Sequence, residues 1–292
     1  MIVLFATSAI VFGLAHKTGD PRNVMLTRYS TPAQWAAWGK RFGLDKPLVV
    51  QYLIWAGHAL RGDLGTSIRA SQPVTHVIWE RLPATLELAG SGFLVALVVG
   101  VPLGVLSAIR RGTVWDYFGR TVALFGQALP PFWLGLELIF FFAVDHHVLP
   151  TSGRGGIDHL VLPSITIGWL IASGILRMVR SSMLDALNSE YVRFARSKGV
   201  RPGVVVWKHA LRNALLAPLT YAGLILALLI TGTVVTETVF AWPGLGMLAV
   251  QSANNDDFPT MTGIVLLTTV MYLGVNTLTD IAYAVLDPRI RY

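Results

Sequence analysis

The sequence predicts an all-α membrane protein with about six transmembrane helices. Only 13% of its 292 residues are charged, while 53% are hydrophobic; a soluble domain carries roughly 25% charged residues. Its uncharged runs approach the roughly 20 residues that a helix needs to cross the hydrocarbon core. Nine Trp and eight Tyr suit helix ends at the headgroup level. The formal charge of +7 is accounted for by basic loops on one membrane face rather than by nucleic acid. Cysteine is absent, which excludes a disulfide framework, a thiolate metal site and a thiol nucleophile.

The spans follow in order. Met1–Ala15 is apolar but short: at about 1.5 Å per residue it reaches roughly 22 Å, against a core of about 30 Å. It has no basic residue before it and no cleavage site, so it does not read as a signal peptide. Two readings stand, a first span whose cytoplasmic start is missing and a short interfacial anchor. Leu88–Ile109 is uncharged throughout. Thr121–Val144 is broken only by Glu137. Leu160–Leu176 is just long enough, and Asn213–Thr236 and Phe258–Thr279 are full-length candidates. The apolar pattern resumes after Asp280. Pro130 and Pro131 must break or kink the second of the uncharged runs, since proline supplies no backbone donor and clashes with the preceding turn.

Orientation is read from Lys and Arg. Arg177 to Arg212 holds eight basic residues and two acids. Arg110 and Arg111 lie in another connection, and Arg289 and Arg291 in the tail. The Glu237–Phe258 connection has no Lys or Arg but carries Glu237, Asp256 and Asp257. The positive-inside rule puts the first set in the cytoplasm. His16–Pro83 then falls outside despite nine basic residues, because loops longer than about 60 residues translocate largely regardless of charge. Pro32 and Pro47 each read as a helix start, with Trp35, Trp38 and Phe42 on one face of the first helix. These helices either pack on the outer membrane face or offer a docking surface for an external ligand-delivery protein.

The most informative stretch is Glu190–Pro218, a basic amphipathic segment between two long apolar ones. Met183, Leu187, Tyr191 and Phe194–Ala195 recur every three to four residues as an apolar stripe, with Arg193, Arg196 and Lys198 off it. Gly199 is a C-terminal stop, because it can take the left-handed conformation. Pro202 starts a new helix that runs into the next span. A surface stripe needs cover: the chain's own helix ends, the lipid interface or a groove in a partner.

The run RFARSKG resembles the conserved loop of ABC-importer permeases, written Glu-Ala-Ala, three residues, then Gly. Ala195 matches the second Ala and Gly199 the Gly, while Arg193 and Phe194 depart from the first two positions. His209-Ala210-Leu211-Arg212 replaces Ile-x-Leu-Pro. Both departures are similar to the dipeptide/oligopeptide branch, which includes nickel and glutathione permeases. ERLPATLELA from Glu80, GDLGTS from Gly62, ETVFAWPGLG from Glu237 and the tail from Thr279 resemble it too. The short N-terminus departs from it.

The resemblance implies a type I ABC importer permease fold in the cytoplasmic (inner) membrane. Residues 1–83 would form a short first span and an extracytoplasmic helical region. Residues 84–286 would form the five-helix transmembrane domain, with its coupling loop at 177–212, and residues 287–292 a cytoplasmic tail. It further implies a second, homologous permease, two ATP-binding-cassette ATPases and an extracytoplasmic solute-binding protein. Glu190, Arg193, Ala195, Arg196, Lys198, Gly199 and His209 would contact the ATPase. ATP and Mg²⁺ would belong to that partner, since this chain has no Gly-x-x-x-x-Gly-Lys-Ser/Thr phosphate cradle; no cofactor and no catalytic residue are expected here.

Embedded charges mark function by default. Glu137 is the candidate pore-facing group, beside the Pro130–Pro131 break. Glu87 and Asp280 read as polar groups held by neighbours. His146, His147 and His159 do not form a metal site by spacing, because adjacent histidines cannot both point one way from a regular element. The alternative class is a proton-coupled secondary transporter with Glu137 and Asp280 as relay groups. It would have no need of a basic helix–turn–helix, and six spans is small for one. A membrane scaffold is a third class.

Overall fold

A computed structural model of the chain describes residues 2–18, 31–41 and 45–286. Phe42 and the tail arginines Arg289 and Arg291 lie outside the described residues, as do the side chains of Trp38 and Asp280. Every regular element among the described residues is helical. Three helices are long and apolar enough to cross a membrane, or five if each of two bent pairs counts as one span. The chain divides into two compact units, residues 1–85 with 243–271 and residues 86–242 with 272–292.

In the first unit, α1 (Ile2–Thr18) is longer than its apolar run. Its 17 residues span roughly 25 Å, still short of the core thickness. It packs on α3 (Leu48–Ala59) through Tyr52, whose hydroxyl meets Ser8 Oγ at 2.8 Å and whose ring meets Phe12 edge-on at 5.6 Å. α2 (Pro32–Arg41) begins at the expected proline. The start of α4 (Val74–Ile109) brings Val74, Ile78 and Leu82 onto one face by their four-residue spacing. That face packs with Leu245 and Leu248 of α12 (Leu245–Asn254) and Ile264 of α13 (Phe258–Leu286). The buried Asp257 pins the preceding loop, accepting from Ser67 Oγ at 2.5 Å, the Ile68 amide at 3.1 Å and Thr260 Oγ1 at 2.9 Å. A carboxylate buried with three donors is a satisfied structural group.

In the second unit, α4 continues to Ile109 and packs along α7 (Ile157–Leu187). Small residues set this contact. A Cβ at Gly100 would come within 2.8 Å of the Ala172 carbonyl, and one at Gly104 within 2.8 Å of both the Leu176 carbonyl and Val179 Cβ. Without a hydrophobic drive between helices in lipid, close backbone approach is what holds such pairs.

The run read as one span from Thr121 to Val144 is two limbs. α5 (Val114–Ala128) and the limb from Pro131 to Asp145 meet at 103°. The second limb is α6 (Pro131–Leu138), followed by a π-helical stretch, Ile139–Asp145. Residues before proline are pushed out of the helical region, and Leu129 (ψ 120°) and Pro130 (ψ 135°) are both extended. α10 (Leu216–Gly232) and α11 (Val234–Val239) complete the unit's apolar helices.

Of two acids weighed in the sequence, one differs from expectation. Glu237, read as the start of the connection on the face opposite the basic loops, lies in helix α11, where it is fully buried and accepts from Thr233 Oγ1 at 2.7 Å. Glu87 is held by a neighbour as expected: Arg154 donates to it at 2.8 Å.

Candidate functional site

The basic segment is built by two breaks. α7 ends at Asn188, whose amide bonds the Leu184 carbonyl, and Ser189 turns extended (ψ 155°) with its hydroxyl on the Ala186 carbonyl. The chain restarts as α8 (Glu190–Ser197), with Glu190 in its first turn and Arg196 in its last, the placements that suit the helix dipole. α8 closes in a Schellman motif. The Gly199 amide donates to the Arg196 carbonyl at 3.0 Å and the Val200 amide to the Ala195 carbonyl at 3.3 Å. Gly199 sits at φ +74°, where any side chain is strained. Arg201 is extended, Pro202 opens α9 (Pro202–Ala214), and Val205–Ala210 within α9 is π-helical.

The breaks change which residues share a face. Met183 and Ala195, the two ends of the stripe read over Met183, Leu187, Tyr191 and Phe194–Ala195, are buried, but the stripe is broken between them: Tyr191 is 42% and Phe194 62% exposed. The helix restarts at Ser189, so the phase of Met183 and Leu187 is not carried into α8. Its buried face is Val192 and Ala195, fully and largely enclosed. Val205, Ala210 and Ala214 are the enclosed residues of α9. The open face presents Tyr191 and Phe194, and Trp207 of α9 is 61% exposed. Lys198 Nζ stands 4.4 Å from the centre of the Phe194 ring, a cation–π contact.

The predicted loop residues divide accordingly. Arg193 bonds Glu190 at 3.0 Å, and both are exposed. Arg196, Lys198 and Gly199 are exposed, Ala195 is buried, and His209 is half-buried. His209 lines a cleft of about 380 Å³ with Tyr191, Lys208, Arg212, Asn213 and Leu216. From Glu190 to Arg212 there are six Lys and Arg against one acid. The loop is therefore a cationic surface with exposed aromatic rings. Pro130 and Pro131 lie at the 103° bend, and Glu137 is exposed on α6 beyond it; the bend and the loop are separate features.

Val192, Trp207 and one ion pair belong to this region without being marked by the sequence pattern. Arg180 of α7 meets Asp116 of α5 through two contacts, Nε to Oδ1 at 2.7 Å and Nη2 to Oδ2 at 3.0 Å. The Asp116 side chain is only 5% exposed. By sequence Arg180 reads only as a loop cation, yet Asp116, close to Arg110 and Arg111, is a signal for a partner. Among the described residues no group of three His, Cys, Asp or Glu could hold a metal ion. His146 and His159 instead face the backbone carbonyls of Phe141 and Ser152.

A family model described as binding-protein-dependent transport system inner membrane component matches residues 100–292, and the model of its N-terminal region matches residues 1–89. The chain belongs to this family. It is a permease component of the inner membrane, not the enzyme of its transport system. The permease is 40% identical to the oligopeptide transport system permease protein AppB of Bacillus subtilis (strain 168) over 285 residues, 94% of this chain and 90% of that one. It is 36% identical to the dipeptide transport system permease protein DppB of Escherichia coli (strain K12) over 316 residues, covering 97% and 93%. Among solved structures, an inward-facing MetNI methionine ABC transporter chain superposes with a TM-score of 0.58 at 21% identity, over 72% of this permease and 96% of that chain. The fold is that of a type I ABC importer permease.

Proposed function

We propose that this permease moves peptides across the cytoplasmic membrane with energy from ATPases docked on its 190–212 loop. The observation that carries this is the loop's two-sided construction. One face of α8 is anchored by Val192 and Ala195, the other leaves Tyr191 and Phe194 uncovered, and Trp207 of α9 is exposed as well, in a segment rich in cations. A buried aromatic with flanking Arg is the usual composition of a protein contact. Arg193, Arg196, Lys198 and His209 border that face, and Gly199 lets the chain turn sharply beneath the partner.

The assembly implied is this permease, a homologous second permease, two ATPases and an external binding protein. ATP and Mg²⁺ reside in the ATPases. Pro130, Pro131 and Glu137 belong, in this reading, to the translocation path where α5 bends into α6. Peptide as solute is supported by relatives named for oligopeptide and dipeptide transport.

The test is growth. Cells lacking peptide uptake, given this permease with its partner subunits, should grow on dipeptides or oligopeptides as the sole source of a required amino acid. Restored uptake of nickel or a sugar, with no growth on peptides, refutes the assignment of solute.

A further inference from the structure

We infer that the Asp116–Arg180 pair is the linkage that carries movement of the loop into the α4–α5 hairpin. This rests on the reading that an ATPase docks on the loop. Arg180 and Glu190 are ten residues apart, and α7 is unbroken from Arg180 to Leu187. The stretch from Arg180 to Leu187 spans roughly 10 Å of that helix, after which the Asn188–Ser189 break leads into the docking helix α8.

One carboxylate gathers three separate pieces of chain. Arg180 grips both its oxygens, Ser107 Oγ at the end of α4 donates to Oδ1 at 2.6 Å, and the Gly112 amide in the turn donates to Oδ2 at 3.0 Å. Arg180 Nε also reaches Ser107 Oγ at 3.1 Å. The end of α4, its turn, the first turn of α5 and the shaft of α7 are thus tied at a single group.

The tie is stiff for two reasons. A forked guanidinium on a carboxylate fixes orientation as well as distance. The backbones around it are also in close contact, since a Cβ at Gly104 would strike Val179 and one at Gly119 would lie 3.1 Å from Ser107 Cβ. The loop's own approach to the end of α4 is looser: a cleft of about 480 Å³ opens there, lined by Ile109, Leu187, Arg196, Val200, Pro202 and Val205. Displacement of α8 therefore reaches α4 and α5 through the clamp on α7. Asp116 and Arg180 are positioning residues that act through the helices they join.

The experiment uses the complete transporter in proteoliposomes, with ATP hydrolysis and solute uptake measured in the same vesicles. With D116N, the ATPases should still co-purify with the permease and hydrolyse ATP. Uptake per ATP hydrolysed should fall about tenfold, within the 5- to 150-fold range typical of coupled sites. A proportional fall in hydrolysis and uptake, leaving their ratio unchanged, overturns the linkage and leaves a merely structural pair. If D116N does not accumulate in the membrane, R180K supplies the test, because it keeps the charge but loses the fork. A smaller fall in the same ratio supports the linkage, and an unchanged ratio overturns it. Failure of the unaltered permease to retain its ATPases would count against the docking reading, separately from the clamp.

Discussion

Phe194 and Val192 lie two residues apart on α8 and face opposite ways, so truncating each to alanine separates docking from folding. A Phe side chain offers on the order of 200 Å². At 62% exposure, roughly 120 Å² remains for a partner to cover, worth up to about 3 kcal/mol at about 25 cal/mol per Å². Association recovers only part of such a gain, so F194A should weaken ATPase binding by about 10- to 100-fold, at roughly 1.4 kcal/mol per decade. Its effect on the permease's own stability should be within about 0.5 kcal/mol, as for other exposed sites. V192A removes two methyl groups from a fully enclosed position, a loss of about 2 kcal/mol once the cavity is included. The assay pairs an affinity measurement with the isolated ATPase and limited proteolysis of the detergent-purified permease. F194A should lose affinity with an unchanged cleavage rate at the loop, and V192A should be cut faster. Unchanged affinity in F194A, or faster cleavage in F194A than in V192A, refutes the two-faced reading.

Further substitutions test the frame around the loop. G199A places a side chain at φ +74° and should cost about 1 kcal/mol, read as faster proteolysis after Lys198. G104A would push Cβ within 2.8 Å of the Leu176 carbonyl and Val179 Cβ; overpacking of this kind costs about 1–3 kcal/mol, so the thermal midpoint in detergent should fall. E87Q removes the charge on a partner of Arg154, but both side chains are more than a third exposed. Such pairs contribute about 0–1 kcal/mol, and that midpoint should barely move.

Features set by local chemistry were legible in the sequence. The Pro130–Pro131 break, the Gly199 stop, the Pro202 restart and the apolar cores of the long helices all follow from neighbouring residues. Helix lengths were less so: α4 begins at Val74 and α7 ends at Leu187, because charged residues beyond the apolar run remain helical where water or a partner accommodates them. Hydropathy marks the membrane slab, not the helix end. In the loop, the two-residue interruption at Asn188–Ser189 reset the helical phase, which exchanged Val192 for Tyr191 and Phe194 on the buried face. Asp116 and Arg180 meet across 64 positions of chain, and Glu237 is buried by tertiary packing; neither follows from local pattern.

In the function proposed for this permease, ATPases on the 190–212 loop energise its transport. This is measured as uptake into proteoliposomes holding the permease with its partner permease, with ATPases and internal ATP varied independently of a pH gradient. Uptake is expected only when ATPases, internal ATP and the external binding protein are all present, with no effect of the gradient alone. Uptake by this chain without ATPases, driven by a pH gradient and abolished by E137Q, would contradict it.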